Sequence, residues 1–404
     1  MNNDELQVLG LNKKIQQRRR WAMALWIGAI VVISIVLIEL VLRPLIFGQG
    51  ESKKSLDETT IQPELQHVVD SVLKDRLEEW NDLQGQVIVM EVQTGEILAM
   101  VGRERRFDGR YRPCDNFAYQ QEPGSTMKVV SLLALLETGE VHLTDVVDVG
   151  NGLWEEGDFL MKDHNWHRGG YGKMTLDRAL EVSSNIAISK TIQKVFKGKE
   201  QQYFELLDKM SFGQPDSIEG ISELQPMVFS SPQDSAWASR QLLWNSIGYE
   251  RLMAPIQTLT FYNAIANNGR MVKPTLVKGK TEVINERIAS RSNIAKMQQA
   301  LYHVVTQGLG KRAGTPLVSV AGKSGTAQVE SFHIFTDDEI ENYHLSFCGY
   351  FPAESPKYSM IVSINKLGLP ASGGAMAGPV FREIAEWMVR HDMLQVEEDE
   401  YGSY

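Results

Sequence analysis

Ser125-Thr126-Met127-Lys128 sets a hydroxyl and an amine three residues apart. At the start of a helix, positions i and i+3 share a face, so the two groups can meet. A serine hydroxyl is a weak nucleophile until a base takes its proton. A lysine is that base when desolvation or nearby positive charge lowers its pKa. Backbone N–H groups at the same helix start suit an oxyanion. Ser183-Ser184-Asn185 supplies a hydroxyl to relay a proton and an amide to bind a peptide backbone. Lys323-Ser324-Gly325-Thr326 reads as strand. Ser324 and Thr326 then share a face, Gly325 lets a ligand lie close, and Lys323 adds a positive charge for a carboxylate.

Each pattern has a decoy. Ser-x-x-Lys recurs at Ser71/Lys74 and Ser363/Lys366, Ser-x-Asn at Ser363/Asn365, and Lys-x-Gly at Lys366-Leu367-Gly368. Ser71 falls inside a predicted helix. Ser363 falls on a predicted strand, where i and i+3 point to opposite faces. Ser125 alone follows a Glu-Pro-Gly turn, residues 122–124, and opens a helix. In isolation Ser183 and Asn185 also read as a helix cap or turn.

The elements that must carry these residues are legible as patterns. Leu65, Val68, Val69, Val72, Leu73, Leu77 and Trp80 predict an amphipathic helix over 62–81, with Pro63 in its first turn. QVIVMEVQTGEILAMVG predicts an alternating hairpin turning at Gly95. An apolar helix spans 125–138, and 140–250 is mixed and mostly helical. Two further helices, PIQTLTFYNAIANNG and NIAKMQQALYHVVTQG, precede three strands and a final amphipathic helix. The predicted fold is α+β: an antiparallel five-stranded sheet covered by helices, plus an all-helical lobe.

Bulk composition narrows the class. The chain has 404 residues, 43% of them hydrophobic, and a formal net charge of −10. Such a chain buries a full core without staples. Its acidic balance argues against a nucleic-acid partner. Two cysteines, Cys114 and Cys348, are too few for a disulfide framework or a zinc site. The loop Lys162-Asp163-His164-Asn165-Trp166-His167 reads as cleft rim, with neither a metal nor a cofactor assigned. Residues 21–42 hold one charge, Glu39, and follow Arg18-Arg19-Arg20. That pattern predicts a single transmembrane helix with residues 1–20 in the cytoplasm and the rest outside. Residues 43–60 read as a linker, 61–392 as the catalytic domain and 393–404 as an acidic disordered tail.

The three patterns occur in one order, with 58 residues from Ser125 to Ser183 and 140 from Ser183 to Lys323. This set resembles the penicillin-recognising serine enzymes. QEPGSTMKVV, LEVSSNIAISK, VAGKSGTAQV and FCGYFPAESPKYSMIV are similar, in order, to the transpeptidase domain of class B penicillin-binding proteins. The resemblance covers residues 59–391. It implies a β-lactamase/transpeptidase-like fold and a D,D-transpeptidase that cross-links peptidoglycan stem peptides. Ser125 would attack the carbonyl between the last two D-alanines, Lys128 would take its proton and Ser183 would relay one to the leaving D-alanine. Asn185 would hold the donor peptide. Lys323, Ser324, Gly325 and Thr326 would form the strand that binds its carboxylate. β-Lactams would trap Ser125, and a lipid-linked glycan polymerase is an implied partner. Class B members carry a sizeable module between anchor and catalytic domain. Here about 20 residues intervene, reaching ~65–70 Å at full extension, which places the site near the membrane. A D,D-carboxypeptidase, a β-lactamase or a non-catalytic scaffold of a polymerase are the alternatives.

Overall fold

The computed structural model describes residues 59–156, 159–221, 224–230, 232–234, 237, 240–329 and 341–394. The predicted anchor 21–42, its flanks and the tail from 395 lie outside the described residues. Among the described residues, no helix is long and apolar enough to cross a membrane.

The centre is one antiparallel sheet of six strands: β1 (Gln84–Glu91), β2 (Ile97–Arg105), β3 (Tyr111–Pro113), β4 (Ala321–Val329), β5 (Asn342–Phe351) and β6 (Tyr358–Leu367). Their order is β4-β5-β6-β1-β2-β3. The early hairpin therefore pairs with the last strand of the chain, Val87 opposite Val362 and Val89 opposite Met360. This corrects the predicted five strands. The sixth, β3, is three residues long and pairs with Arg103–Arg105. Only its Tyr111 is buried, where Oη donates to the Leu77 and Asp82 carbonyls at 2.8 and 2.6 Å. So short a strand carries no alternation to read.

The strands do not alternate between core and water. Val87 and Val89 face one apolar cluster, and Ile88 and Met90 the other. All ten residues of β5 are buried. A sheet covered on both faces needs apolar residues at consecutive positions.

The helices are α1 (Pro63–Trp80), α2 (Met127–Glu137), α3 (Leu176–Glu181), α4 (Asn185–Phe196), α5 (Glu200–Lys209), α6 (Arg240–Ser246), α7 (Pro255–Ala266), α8 (Arg291–Thr306) and α9 (Gly373–Arg390). Helices α1 and α9 cover one face of the sheet. Helix α7, buried at every residue, covers the other and separates it from a lobe built on α2–α6. That lobe is not all-helical. Ribbons pair Val146–Asp148 with Lys173–Thr175, and Leu153–Glu156 with Phe159–Lys162. Each is three or four residues long, below the length at which periodicity identifies a strand.

Helix α2 is the axis of the lobe. Every residue from Met127 to Leu136 is buried. Each Leu or Val so enclosed contributes ~1.5–3 kcal/mol. A helix fixed this firmly holds its first turn in place, and Ser125 sits just before that turn. At the domain edges, order runs slightly past the predicted boundaries. Thr60 is buried and its Oγ1 donates to the Ile97 carbonyl at 2.7 Å. Met393 and Leu394 pack on the α9 face of the sheet.

Candidate active site

Ser125 lies in a single 3-10 turn, Gly124–Thr126, with α2 beginning two residues later. The turn is pinned from four sides. The Gly124 N–H donates to the Gly248 carbonyl at 3.1 Å. Thr126 Oγ1 donates to the Pro123 carbonyl at 2.8 Å, and Tyr262 Oη donates to the Thr126 carbonyl at 2.9 Å. On β5, His344 Nδ1 meets the Glu122 carbonyl at 2.8 Å, with its Nε2 2.7 Å from Ser363 Oγ. The Ser363 of the decoy motifs is thus a buried partner of His344. The decoy Lys366 pairs with buried Asp82, and Ser71 is exposed on α1.

Lys128, in the first turn of α2, is fully buried and reaches back along the helix. Its Nζ lies 2.7 Å from Ser125 Oγ, 3.1 Å from Ser183 Oγ and 3.0 Å from the Ser183 carbonyl. Burial pushes its pKa down from the ordinary lysine value to about 7, against the opposing pull of the Asp163 charge. Near neutrality the amine is therefore free to accept a proton.

Ser183 sits between α3 and α4 at φ 57°, in the left-handed region. Serine adopts it at a cost of ~1–2 kcal/mol. The following residues enforce it. Ser184 caps α4, accepting from the Ala187 N–H at 3.0 Å, and its hydroxyl donates to Asp163 Oδ2 at 2.7 Å. The Ile186 N–H donates to Asp163 Oδ1 at 3.1 Å. A carboxylate at a helix N-terminus is favoured by capping and by the helix dipole. Asn185 is tied by Nδ2 to the Lys162 carbonyl at 2.8 Å. Lys162 ends the ribbon strand Phe159–Lys162 and Asp163 follows it, so that ribbon positions the second motif.

Among the described residues, strand β4 forms the edge of the sheet, with one side unpaired by any strand. Ser324 and Thr326 line the cleft, whose volume is about 540 Å³. Lys323 does not. It is fully buried, and its Nζ donates to Ser183 Oγ at 2.9 Å and to the Ser324 carbonyl at 2.8 Å. Burial first, and Lys128 second, hold its pKa well below the ordinary lysine value. The surface cations of the cleft are instead Lys162, Lys311 and Arg312. Gly325 also serves a different purpose from the expected one. A Cβ there would lie 2.3 Å from Ser346 Oγ and 3.0 Å from the Pro123 carbonyl. The space is taken first by Ser346 of β5 and then by the protein's own Ser125 turn, which glycine allows to pack against β4.

The structure thus brings Ser125, Lys128, Ser183 and Lys323 into one hydrogen-bonded chain, with Asn185, Ser324 and Thr326 on the wall. The sequence assigns Asp163 no role beyond the cleft rim. Tyr249 lines the cleft, and the backbone of Gln328 meets its hydroxyl. The Lys311-Arg312 pair just before β4 was a readable signal for a basic rim. The rim histidines hold no cluster: His164 Nε2 is 2.8 Å from Tyr171 Oη and His167 is exposed. Among the described residues, Asp177, Glu181 and His303 bring metal-ligand atoms within 4.8 Å of one another. Arg178 is bonded to Glu181, and His303 Nδ1 is 3.1 Å from Asp177 Oδ2, so the trio reads as an ion-pair network. Cys114 and Cys348 are both free thiols.

Comparison with known proteins agrees with this geometry. The family model of the penicillin binding protein transpeptidase domain matches residues 85–386. Stage V sporulation protein D of Bacillus subtilis is 26% identical over 82% of this chain and 53% of its own. The peptidoglycan D,D-transpeptidase FtsI of Buchnera aphidicola is 25% identical over 82% of this chain and 57% of its own. The chain spans about half the length of the curated relatives it matches. The TP domain of Burkholderia pseudomallei penicillin-binding protein 3 superposes with a TM-score of 0.70 at 25% identity, covering 83% of this chain and 96% of that domain. A match over three quarters of the sequence, on an α+β fold with a large antiparallel sheet, makes this chain a member of the penicillin binding protein transpeptidase domain family.

Proposed function

We propose that this protein is a peptidoglycan D,D-transpeptidase acting through a Ser125 acyl-enzyme and inhibited by β-lactams. The observation that carries this is the buried Lys128 amine held 2.7 Å from Ser125 Oγ. Neutral Lys128 takes the Ser125 proton as Oγ attacks the carbonyl between two D-alanines. The unpaired edge of β4 receives the extended donor peptide by strand addition. The donor's terminal carboxylate lies against Ser324, Thr326 and the Lys311/Arg312 rim. Lys323 contributes from behind the wall, through Ser183. Ser183 Oγ, between the Lys128 and Lys323 amines, hands a proton to the departing D-alanine nitrogen as the C–N bond breaks. An amine then attacks the acyl carbon, the C–Oγ bond breaks, and Oγ recovers its proton. The apolar segment 21–42 supports a single-pass anchor in the cytoplasmic membrane, with the catalytic domain on its outer side and a lipid-linked glycan polymerase as neighbour.

Mass spectrometry of the protein after incubation with penicillin tests this. The expected result is one adduct, on the peptide containing Ser125, absent from Ser125→Ala. An adduct elsewhere overturns the assignment.

A further inference from the structure

A groove of about 1100 Å³ adjoins the cleft, and Tyr249 lines both. Asn342 and Asn365 lie on its wall, their side-chain oxygens buried and without a hydrogen-bond partner. His344, two residues along β5 from Asn342 and opposite Asn365, is the contrast. It is 5% exposed, and both ring nitrogens are engaged. The Glu122 carbonyl, 2.8 Å from Nδ1, can only accept, so Nδ1 carries the proton. Burial lowers the ring's pKa and keeps it neutral. Nε2 is then an acceptor, and the buried Ser363 hydroxyl donates to it at 2.7 Å. Two further ties hold the same loop to the sheet. The Cys114 N–H donates to the Gly102 carbonyl of β2 at 2.9 Å, and Gln86 Nε2 of β1 donates to the Asn116 carbonyl at 2.8 Å. Residues 114–124 thus cross the sheet from β2 to β5, and His344 makes the last tie before the nucleophile. The next carbonyl, of Pro123, accepts from Thr126 Oγ1 at 2.8 Å. With both carbonyls taken, the two peptide planes leading into Gly124, at φ 55°, have a fixed direction. A buried polar pair gains little over an apolar pair of the same shape. What accounts for a histidine and a serine inside this sheet is the loop they hold.

Resting on the transpeptidase reading, we infer that His344 is a positioning residue for acyl transfer: its Nδ1–H clamps the Glu122 carbonyl and so sets the line along which Ser125 Oγ meets Lys128 and the acyl carbon. The ring touches neither Ser125 nor the cleft. It acts on the chemical step and not on binding, because Ser324 and Thr326 stand on β4 and do not hang from the clamp. A misplacement of 1 Å in a reacting group costs on the order of 10²-fold in rate. Ser363 acts one step further back, by keeping the proton on Nδ1.

The test labels the full chain with fluorescent penicillin over a range of concentrations. This separates the half-saturating concentration of the reversible complex from the rate constant of Ser125 acylation. The rate constant is taken per labelled site, so unfolded molecules drop out. His344→Leu keeps bulk and removes the donor. His344→Asn loses bulk and keeps an amide N–H near the place of Nδ1. If the ring only fills space, the Leu variant is both the more stable and the faster of the two. The clamp reverses the order in rate. His344→Leu falls about tenfold and His344→Asn stays within about threefold of the parent, the range of one hydrogen bond, with half-saturation unchanged in both. Ser363→Ala only deletes a hydroxyl, so it folds even where a His344 variant does not, and its rate constant falls about threefold. A parent-like rate constant in His344→Leu overturns the inference, as does one in Ser363→Ala or a Leu variant as fast as the Asn variant. Each of these leaves the Ser125 assignment intact. A parent protein that takes no label on Ser125 overturns the transpeptidase reading, and the inference with it.

Discussion

The cleft and the groove meet at Tyr249 yet are built on opposite rules. In the cleft, the reacting side chains are partnered within the protein. Ser125, Lys128, Ser183 and Lys323 are linked at 2.7 to 3.1 Å. In the groove, the amide oxygens of Asn342 and Asn365 have none. The first region is a reaction centre assembled before substrate arrives, which is how electrostatic preorganisation lowers a barrier. The second carries two buried acceptors that the protein leaves unmet. A site that does chemistry is satisfied before its substrate arrives, whereas the groove keeps the cost of two unmet acceptors.

The largest way to break this contrast is Lys128→Met. The unbranched side chain fills the same buried channel, so the fold is kept, while the proton acceptor is lost. Acylation by fluorescent penicillin should fall ~10²–10⁴-fold, the usual range for a general base. A smaller loss would mean that Ser125 is activated by another group. In the parent protein, acylation should rise with pH through about 7, because protonated Lys128 cannot accept the serine proton.

Asp163→Asn is the next largest. The carboxylate raises the Lys128 pKa against burial, so removing the charge lowers that pKa further. The pH limb of acylation should therefore move to lower pH. The Ser184 and Ile186 bonds are weakened at the same time. The maximal rate should drop about tenfold, in line with ~1.5 kcal/mol for hydrogen bonds to a charged group. A reduced rate with an unmoved limb would confine Asp163 to a structural part, because positioning alone does not shift a titration.

The reacting groups were legible in the sequence, and their supports were not, for a physical reason. Ser125 and Lys128 belong to one helical turn, so local spacing determines their meeting. The order of the three motifs then singled out this serine among its decoys. Asp163 reaches Ser184 across 21 residues through a ribbon too short to show periodicity. Lys323 reads as a surface charge on an exposed strand edge. Its burial arises only when the lobe closes on β4 from a part of the chain 140 residues earlier. The same holds for the sheet: five strands announce themselves by apolar runs, while β3 is held by one tyrosine and backbone pairing. Groups whose role depends on what lies above them in space leave no mark on their neighbours in sequence.

The smallest effect is the most pointed. Asn342 sits on β5, opposite Val329, with its side-chain oxygen buried and unpaired. Leucine has nearly the same shape and no polar atoms to satisfy. If the groove has no ligand, asparagine at this position is a plain defect. If it has one, asparagine trades stability for binding. In both cases Asn342→Leu removes an unmet acceptor and should stabilise the fold by ~1 kcal/mol. For a domain of this size that is about 2 °C in melting temperature, measurable by calorimetry. The two cases part when an amine-bearing peptide is added. A groove that binds it should raise the parent's melting temperature with peptide concentration, by mass action on the native state. The variant should start higher and rise less, so that the gap between the two narrows as peptide is added. A gap that stays constant would place Asn342 outside any binding surface.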